Sequence, residues 1–341
     1  MSQSVVPAVL PRPQLPRPWL VADIGGTNAR FGWLAQGTEQ VQHVQTLPTG
    51  THAGPAEAAR VYLERLAANL GLAYQPPRAA AFAVATVVGS DQITFTNSGW
   101  SFSRESTREV LGLDELLILN DFEALALSLP HLREDQVRCI GPVTRAAPAG
   151  AMAVIGPGTG LGVAGIFAVG SGWVAVPGEG GHASLSAADD YEAAVLRAVR
   201  QDYAHVSAER LLSGIGLPVL HRAVSQIEGG APTPLLTAEL IVELGMARQD
   251  AVCSRTLDVF CALLGSFAGN VALILGARGG VYIGGGIVPR LGERFFESEF
   301  RPRFEAKGRF NDYLRAIPTR LITDTLVALS GTRVALEQQT L

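Results

Sequence analysis

The feature that most narrows the possible folds is a unit that occurs twice: two apolar strands joined by a turn of glycine and threonine. Leu20 to Ile24 and Ala29 to Leu34 flank Gly25-Gly26-Thr27-Asn28, and Ala151 to Ile155 and Val163 to Val169 flank the glycine-rich stretch Gly156 to Gly162. Both units read as hairpins, because the residues after the glycines alternate like a strand and lack helical periodicity. Around them, strands at Ala80 to Val84 and Leu116 to Leu119 alternate with helices. One helix, Ala56 to Leu70, carries Leu63, Leu66, Ala67 and Leu70 on one face and ends at Gly71; another starts at Asp121 and is stopped by Pro130. Such alternation predicts an α/β fold with mixed sheets flanked by helices, and the repeated hairpin predicts two related domains facing each other across a cleft.

The 341 residues suffice for two domains with their own cores. Net charge is -4, from 27 Lys+Arg against 31 Asp+Glu spread along the chain, so there is no basic footprint for a nucleic-acid partner. Cys139, Cys253 and Cys261 form no CxxC pair and no disulfide framework, which fits a reducing, cytoplasmic location. The first residues show no export signal: their apolar stretch, Val5 to Leu10, is short and contains Pro7. Residues 1–18 hold Pro7, Pro11, Pro13, Pro16 and Pro18 and are expected to form a polyproline-like or disordered extension, with the folded part starting near Trp19.

Val259 to Ala277 carries no charge and matches the roughly 20 residues of a membrane span. Its context argues otherwise: Arg255 and Arg278 flank it evenly, and Ser266, Asn270 and three glycines dilute it. The expectation is a buried helix, with no membrane partner, whose Gly265 and Gly269 admit a neighbouring element at close range.

Glycine-rich turns can aim successive backbone N–H groups at one anion, with a threonine hydroxyl as a further donor. Gly25, Gly26 and Thr27, and Gly158, Thr159 and Gly160, are therefore candidate phosphate cradles; the alternative for each is a tight hairpin without a ligand. Asp23 ends the strand before the first turn, where a carboxylate can hold Mg2+ through water. Other nucleotide motifs fail. A P-loop needs a lysine in the loop, and Lys307 is the chain's only lysine. The GxGxxG at Gly160, Gly162 and Gly165 is followed by strand-like sequence where a dinucleotide fold needs a helix.

Asn120-Asp121 falls at the carboxyl end of a strand, where open α/β sheets place ligand contacts, although Asp121 could equally be the N-cap of its helix. Glu179 and His182 stand on a glycine-rich turn, a poor place for a structural ion pair. Glu209 could be a solvated helix residue or a partner of Arg210. Carboxylates, an amide and an imidazole are the groups that hydrogen-bond several sugar hydroxyls at once.

Six segments in order, Asp23-Ile-Gly-Gly-Thr-Asn-Ala-Arg30, Leu119-Asn-Asp-Phe122, Ile155-Gly-Pro-Gly-Thr-Gly-Leu-Gly162, Pro177-Gly-Glu-Gly-Gly-His182, His205-Val-Ser-Ala-Glu-Arg210 and Gly279-Gly-Val-Tyr-Ile-Gly-Gly-Gly-Ile287, resemble bacterial glucokinases of the proteobacterial type over residues 20–341. The resemblance implies two actin-like (ribonuclease H-like) domains, an active site in the interdomain cleft, and transfer of a phosphoryl group from ATP, with Mg2+, to the 6-hydroxyl of glucose, feeding glycolysis. It implies Asp121 as catalytic base, with Asn120, Asp121, Glu179, His182 and Glu209 on the sugar. Asp23, Gly25, Gly26, Thr27, Asn28, Gly158, Thr159 and Gly160 would serve the phosphates and metal, and Gly284 and Gly285 would lie beside the nucleoside. The expected boundaries are a smaller domain of 19–132 plus 322–341 and a larger one of 133–321. Two positions depart from the pattern: Thr86 stands where the family usually has proline, and Asp324 to Gly331 replaces its usual segment at the edge of the adenine pocket. Ala183 to Leu196 contains no cysteine, so the zinc site of related sugar kinases cannot be assembled there. A non-catalytic sugar or nucleotide sensor on the same fold is the alternative. Strictness of hexose preference, range of phosphoryl donors and assembly, a homodimer among the options, are left open by the sequence.

Overall fold

The computed structural model describes residues 15–95, 99–142, 146–147, 149–229 and 235–339. Most of the proline-rich extension lies outside the described residues, but its end is tied down. Leu15 packs on a cluster that includes Trp19 and Leu336, and Arg17 pairs with Glu337 at 3.1 Å. Leu15 and Arg17 thus pack with the first unit ahead of Trp19.

Contacts divide the chain into two compact units, Met1–Pro130 with Leu326–Leu341, and His131–Thr325. The first is built on strands β1 (Trp19–Ile24), β2 (Asn28–Leu34), β3 (Gln42–Pro48), β4 (Ala79–Val84) and, past a small hairpin of β5 (Gln92–Thr94) and β6 (Ser101–Ser103), β7 (Glu115–Asn120). The sheet order is β3-β2-β1-β4-β7, antiparallel from β3 to β1 and parallel from β1 to β7. Strand β4, Ala-Ala-Ala-Phe-Ala-Val, is buried at every position, as a central parallel strand covered on both faces must be. On one face Phe31 stacks on Tyr62 of helix α1 (Pro55–Leu70), with ring centroids 5.5 Å apart. Helix α1 starts with proline at its first position and ends at Gly71, whose φ of 55° suits a residue without Cβ.

Helix α2 (Arg104–Val110) leads into β7, and α3 (Asp121–Ser128) follows β7 directly. The other face is covered by the last helix of the chain, Val327–Gln338, which packs along α3. There, a Cβ on Gly331 would stand 1.7 Å from the carbonyl oxygen of Ala124, so only glycine permits the approach.

The second unit contains β8 (Val137–Cys139), β9 (Met152–Pro157), β10 (Leu161–Val169), β11 (Gly172–Gly178), β12 (Gly280–Ile283) and β13 (Thr319–Ile322), in the order β11-β10-β9-β12-β13-β8. Strands β11, β10 and β9 are antiparallel neighbours, and β9, β12 and β13 are parallel. Its first five strands therefore repeat the order and directions of the first unit. Two details differ from the sequence-based expectation. The strands run to Pro157 and resume at Leu161, so the connecting turn is only Gly158 to Gly160, and an edge strand the sequence reading did not place, β8, precedes the hairpin. Gly162 and Gly165 lie within β10, which removes any dinucleotide-type helix at that point.

Helices α4 (Asp190–Val199), α5 (Leu217–Ile227), α6 (Ala238–Met246) and α7 (Ala251–Leu275) precede β12, and α8 (Gly292–Phe296), α9 (Phe300–Glu305) and α10 (Asn311–Arg315) follow it. Helix α7 is long and apolar enough to cross a membrane, yet most of it is buried in this unit's core. Cβ atoms on Gly265 and Gly269 would fall 2.1 Å and 2.6 Å from the carbonyl oxygens of Phe300 and Phe304 in α9. The small residues admit a neighbouring backbone, as the sequence predicts.

Candidate active site

The expected site residues fall into two sets, one in each unit. In the first unit the β1–β2 turn is held from behind: Gly25 N–H donates to the Asn28 carbonyl at 2.9 Å, Thr49 N–H to Thr27 at 2.9 Å, and the Thr49 hydroxyl to the Gly26 carbonyl at 2.7 Å. The amides of Gly26 and Thr27 have no acceptor among the described residues, and Thr27 and Asn28 are exposed. A braced turn with free N–H groups is what an anion cradle requires.

Asp23, the penultimate residue of β1, stands opposite Arg30 of β2, and the register brings the Arg30 guanidinium to 3.0 Å from its carboxylate. Arg30 is a member of the site to which sequence reasoning assigned no role; the available signal is the seven-residue spacing across a tight antiparallel turn. Burial pushes the Asp23 carboxyl above its ordinary value, and Arg30 opposes that shift.

Asp121 is the first residue of α3, at the end of β7. The N-cap is Asn120, whose Oδ1 accepts from Phe122 N–H at 2.9 Å, so capping does not explain Asp121. Asn120 Nδ2 donates to the Thr86 carbonyl at 3.2 Å, a contact that does not depend on whether residue 86 is proline. The Asp121 carboxyl is pushed up to about 6, first by burial and then by the charge of Asp23, against the bond from Phe122 N–H. A carboxylate poised near neutral pH can take a proton from a hydroxyl. Two neighbouring carboxylates, both destabilised as anions, also form a donor set suited to a hard divalent cation.

In the second unit the β9–β10 turn is clamped. Gly214 N–H donates to the Gly158 carbonyl at 2.7 Å, and Glu209 Oε2 accepts from Leu161 N–H at 2.9 Å. A Cβ on Gly160 would lie 2.5 Å from that same Oε2, whereas one on Gly158 would meet nothing within 4 Å. A side chain at 160 would therefore displace the Glu209 carboxylate, whereas Gly158 faces open space. The amides of Thr159 and Gly160 have no acceptor among the described residues.

Glu209 is thus neither solvated nor paired with Arg210, the two plain readings its sequence allowed. Its other oxygen, Oε1, lies 3.9 Å from His182 Nε2, and Glu179 Oε2 lies 3.8 Å from the same nitrogen. His182 is set by a short 3-10 turn, Gly180–His182, where a Cβ on Gly181 would strike the Leu161 carbonyl oxygen at 2.0 Å. Glu179 and His182 are largely exposed, so their polar atoms are available to a ligand. Glu209 joins this polar cluster to the β9–β10 turn through its two oxygens. Gly284 follows β12 and donates to the Ile155 carbonyl at 2.8 Å, and Gly285, at φ 76°, packs against the end of β9, where a Cβ would lie 2.3 Å from the Pro157 carbonyl oxygen. The Gly284-Gly285 segment thereby flanks the same strand end as Gly158.

Comparison with known proteins matches residues 20–339 to the family model described as glucokinase. The chain belongs to the glucokinase family. It is 48% identical over 322 residues to a glucokinase of Aromatoleum aromaticum, covering 94% of this chain and 95% of that one. It is 44% identical over 330 residues to one of Neisseria meningitidis, covering 96% and 97%. Among solved structures, a glucokinase from an Antarctic psychrotroph superposes with a TM-score of 0.85 at 35% identity, covering 94% of this chain and 99% of that one. A Streptomyces griseus glucokinase of the ROK family, solved with glucose and AMPPNP, shares the fold at 16% identity and a TM-score of 0.59, over 94% and 100%. The actin-like reading of the repeated sheets stands with these neighbours. As a member of this family the protein is an enzyme, an ATP-dependent kinase of glucose, and nothing supports a non-catalytic sensor.

Proposed function

We propose that Asp121 is the general base that takes the proton from the 6-hydroxyl of glucose as that oxygen attacks the γ-phosphoryl group of ATP. The observation that carries this is the placement of Asp121: at a strand end, free of the capping role, with its carboxyl raised to about 6. Glu179, His182 and Glu209 bind sugar hydroxyls as acceptors and donors, and Asn120 orients the base through its cap. The free amides of Gly26, Thr27, Thr159 and Gly160 receive the phosphate oxygens, the assignment expected where phosphoryl transfer depends on positioning and charge neutralisation. Gly284 and Gly285, packed against the end of β9, lie beside the nucleoside. Mg2+ is the implied cofactor; Asp23 would hold it through water, and when bound it neutralises phosphate charge. The pairing of Asp23 with Arg30 opposes the upward shift that burial imposes on that carboxyl.

Cytoplasmic glucose phosphorylation at the entry of glycolysis is the setting we infer. A coupled assay of ATP turnover against glucose, mannose and glucosamine tests the substrate assignment: turnover with glucose at the highest kcat/KM is expected, and preference for another hexose would overturn it.

A further inference from the structure

Away from the residues assigned above, the second unit brings an imidazole, a carboxylate and a thiol together. His221 lies on α5, Asp250 is the N-cap of α7, and Cys253 stands in the first turn of α7. One potential ligand atom from each lies within 4.8 Å of the other two. A capped helix beside a core cysteine explains only part of this. His221 is 5% exposed, and its ring makes no hydrogen bond among the described residues, so a ring nitrogen is free to take a ligand. The three donors also match the nitrogen, oxygen and sulfur set that zinc accepts, and Asp250, only partly buried, leaves a side open for a water as fourth ligand.

We propose that His221, Asp250 and Cys253 form a Zn2+ site that ties α5 to the first turn of α7. The groups are chemically ready for it. A neutral imidazole offers one ring nitrogen lone pair to a metal. Asp250 accepts from Cys253 N–H through one carboxylate oxygen at 2.7 Å, which fixes the carboxylate beside the thiol. The Cys253 thiol lies against the Asp250 carboxylate in the metal-free protein. Binding breaks its S–H bond, forms a metal–sulfur bond and releases one proton to solvent. Because α7 is the central helix of this unit, metal bound only in the folded state stabilises the unit by mass action.

The test is a Co2+ titration of the full chain carrying Cys139→Ser, which removes the exposed thiol. The expected result is one equivalent of Co2+ with a sulfur-to-cobalt charge-transfer band, displaced by Zn2+, and one proton released per ion by calorimetry in buffers of different ionisation enthalpy. Cys253→Ser should abolish the band, and His221→Gln should weaken binding by about 100-fold or more, beyond what loss of a supporting hydrogen bond does. Asp250→Asn keeps the helix cap and should weaken binding while glucose kinase activity persists, so a folding failure in the other variants does not blunt the test. Cobalt held at a carboxylate site elsewhere gives no thiolate band. Absence of the band in the parent chain, or equal affinity in the parent, His221→Gln and Asp250→Asn, would overturn the proposal.

Discussion

Replacing Asp121 by asparagine should abolish most activity and make the protein more stable. The carboxyl is raised from its ordinary 3.8 to about 6, so at neutral pH the folded state carries an anion that the unfolded state accommodates better. The sign comes from proton counts. Between about 3.8 and 6 the folded state binds more protons than the unfolded one, so this group's contribution to stability falls as pH rises through that window and stays unfavourable above it. A rise from 3.8 to about 6 corresponds to about 3 kcal/mol at full effect, at about 1.4 kcal/mol per unit. Residual solvation makes about 1 to 3 kcal/mol the reasonable expectation, a gain of a few degrees in Tm. Asparagine keeps an oxygen for Phe122 N–H, and Asn120 still caps the helix, so no compensating loss is built in. Thermal melts of both proteins at pH 7.5 and pH 4 should show the variant ahead at pH 7.5 and level at pH 4, while kcat falls on the order of 100-fold or more. Equal stability at both pH values, or a gain that persists at pH 4, would refute the electrostatic reasoning, and near-normal turnover would refute the role as base.

In the parent enzyme, kcat/KM for glucose should fall with unit slope below about pH 6 as Asp121 protonates; a profile flat to pH 5 would move the base elsewhere. Gly158→Ala adds a methyl group to open space, so Tm should hold while KM for ATP rises on the order of 10-fold through obstruction of the phosphate; an unchanged KM would remove this turn from the phosphate site. His182→Ala should raise KM for glucose far more than KM for ATP, and equal effects in steady-state kinetics would indicate a general defect. Glu209→Gln keeps an acceptor for Leu161 N–H and should affect glucose alone, whereas Glu209→Ala leaves that amide unpaired and should raise KM for ATP as well. Identical nucleotide kinetics in these two variants would show that the turn does not depend on its clamp.

Strand and turn positions were legible because they rest on short-range chemistry. The β1–β2 and β9–β10 hairpins, the stop of α1 at Gly71 and the start of α3 at Asp121 are each written in a few adjacent residues. The nature of α7 was legible from its interruptions, since Gly265 and Gly269 made better sense against a protein backbone than against lipid. What escaped depends on residues distant in sequence. Glu209 looks like an ordinary helix-start carboxylate until Leu161 N–H and Gly160 arrive beside it. The division of roles between Asn120 and Asp121 turns on backbone angles, Asn120 being extended at φ -65° and ψ 148° and so the cap. Thr49 anchors the first turn from the end of β3, and nothing local to Thr49 announces it.

The helix Val327–Gln338 has a consequence for the order in which the enzyme is made. It lies against α3, the helix that begins with Asp121, and the contact is backbone to backbone at Gly331 and Ala124. During synthesis the sheet of the first unit emerges early, but its covering helix leaves the ribosome only after the whole of the second unit. The later unit can therefore complete its core while the earlier one still lacks a wall, an inversion of the usual N-terminal-first sequence of domain folding. A nascent chain arrested before Val327 holds every phosphate, sugar and base residue named above, yet has no support behind the base.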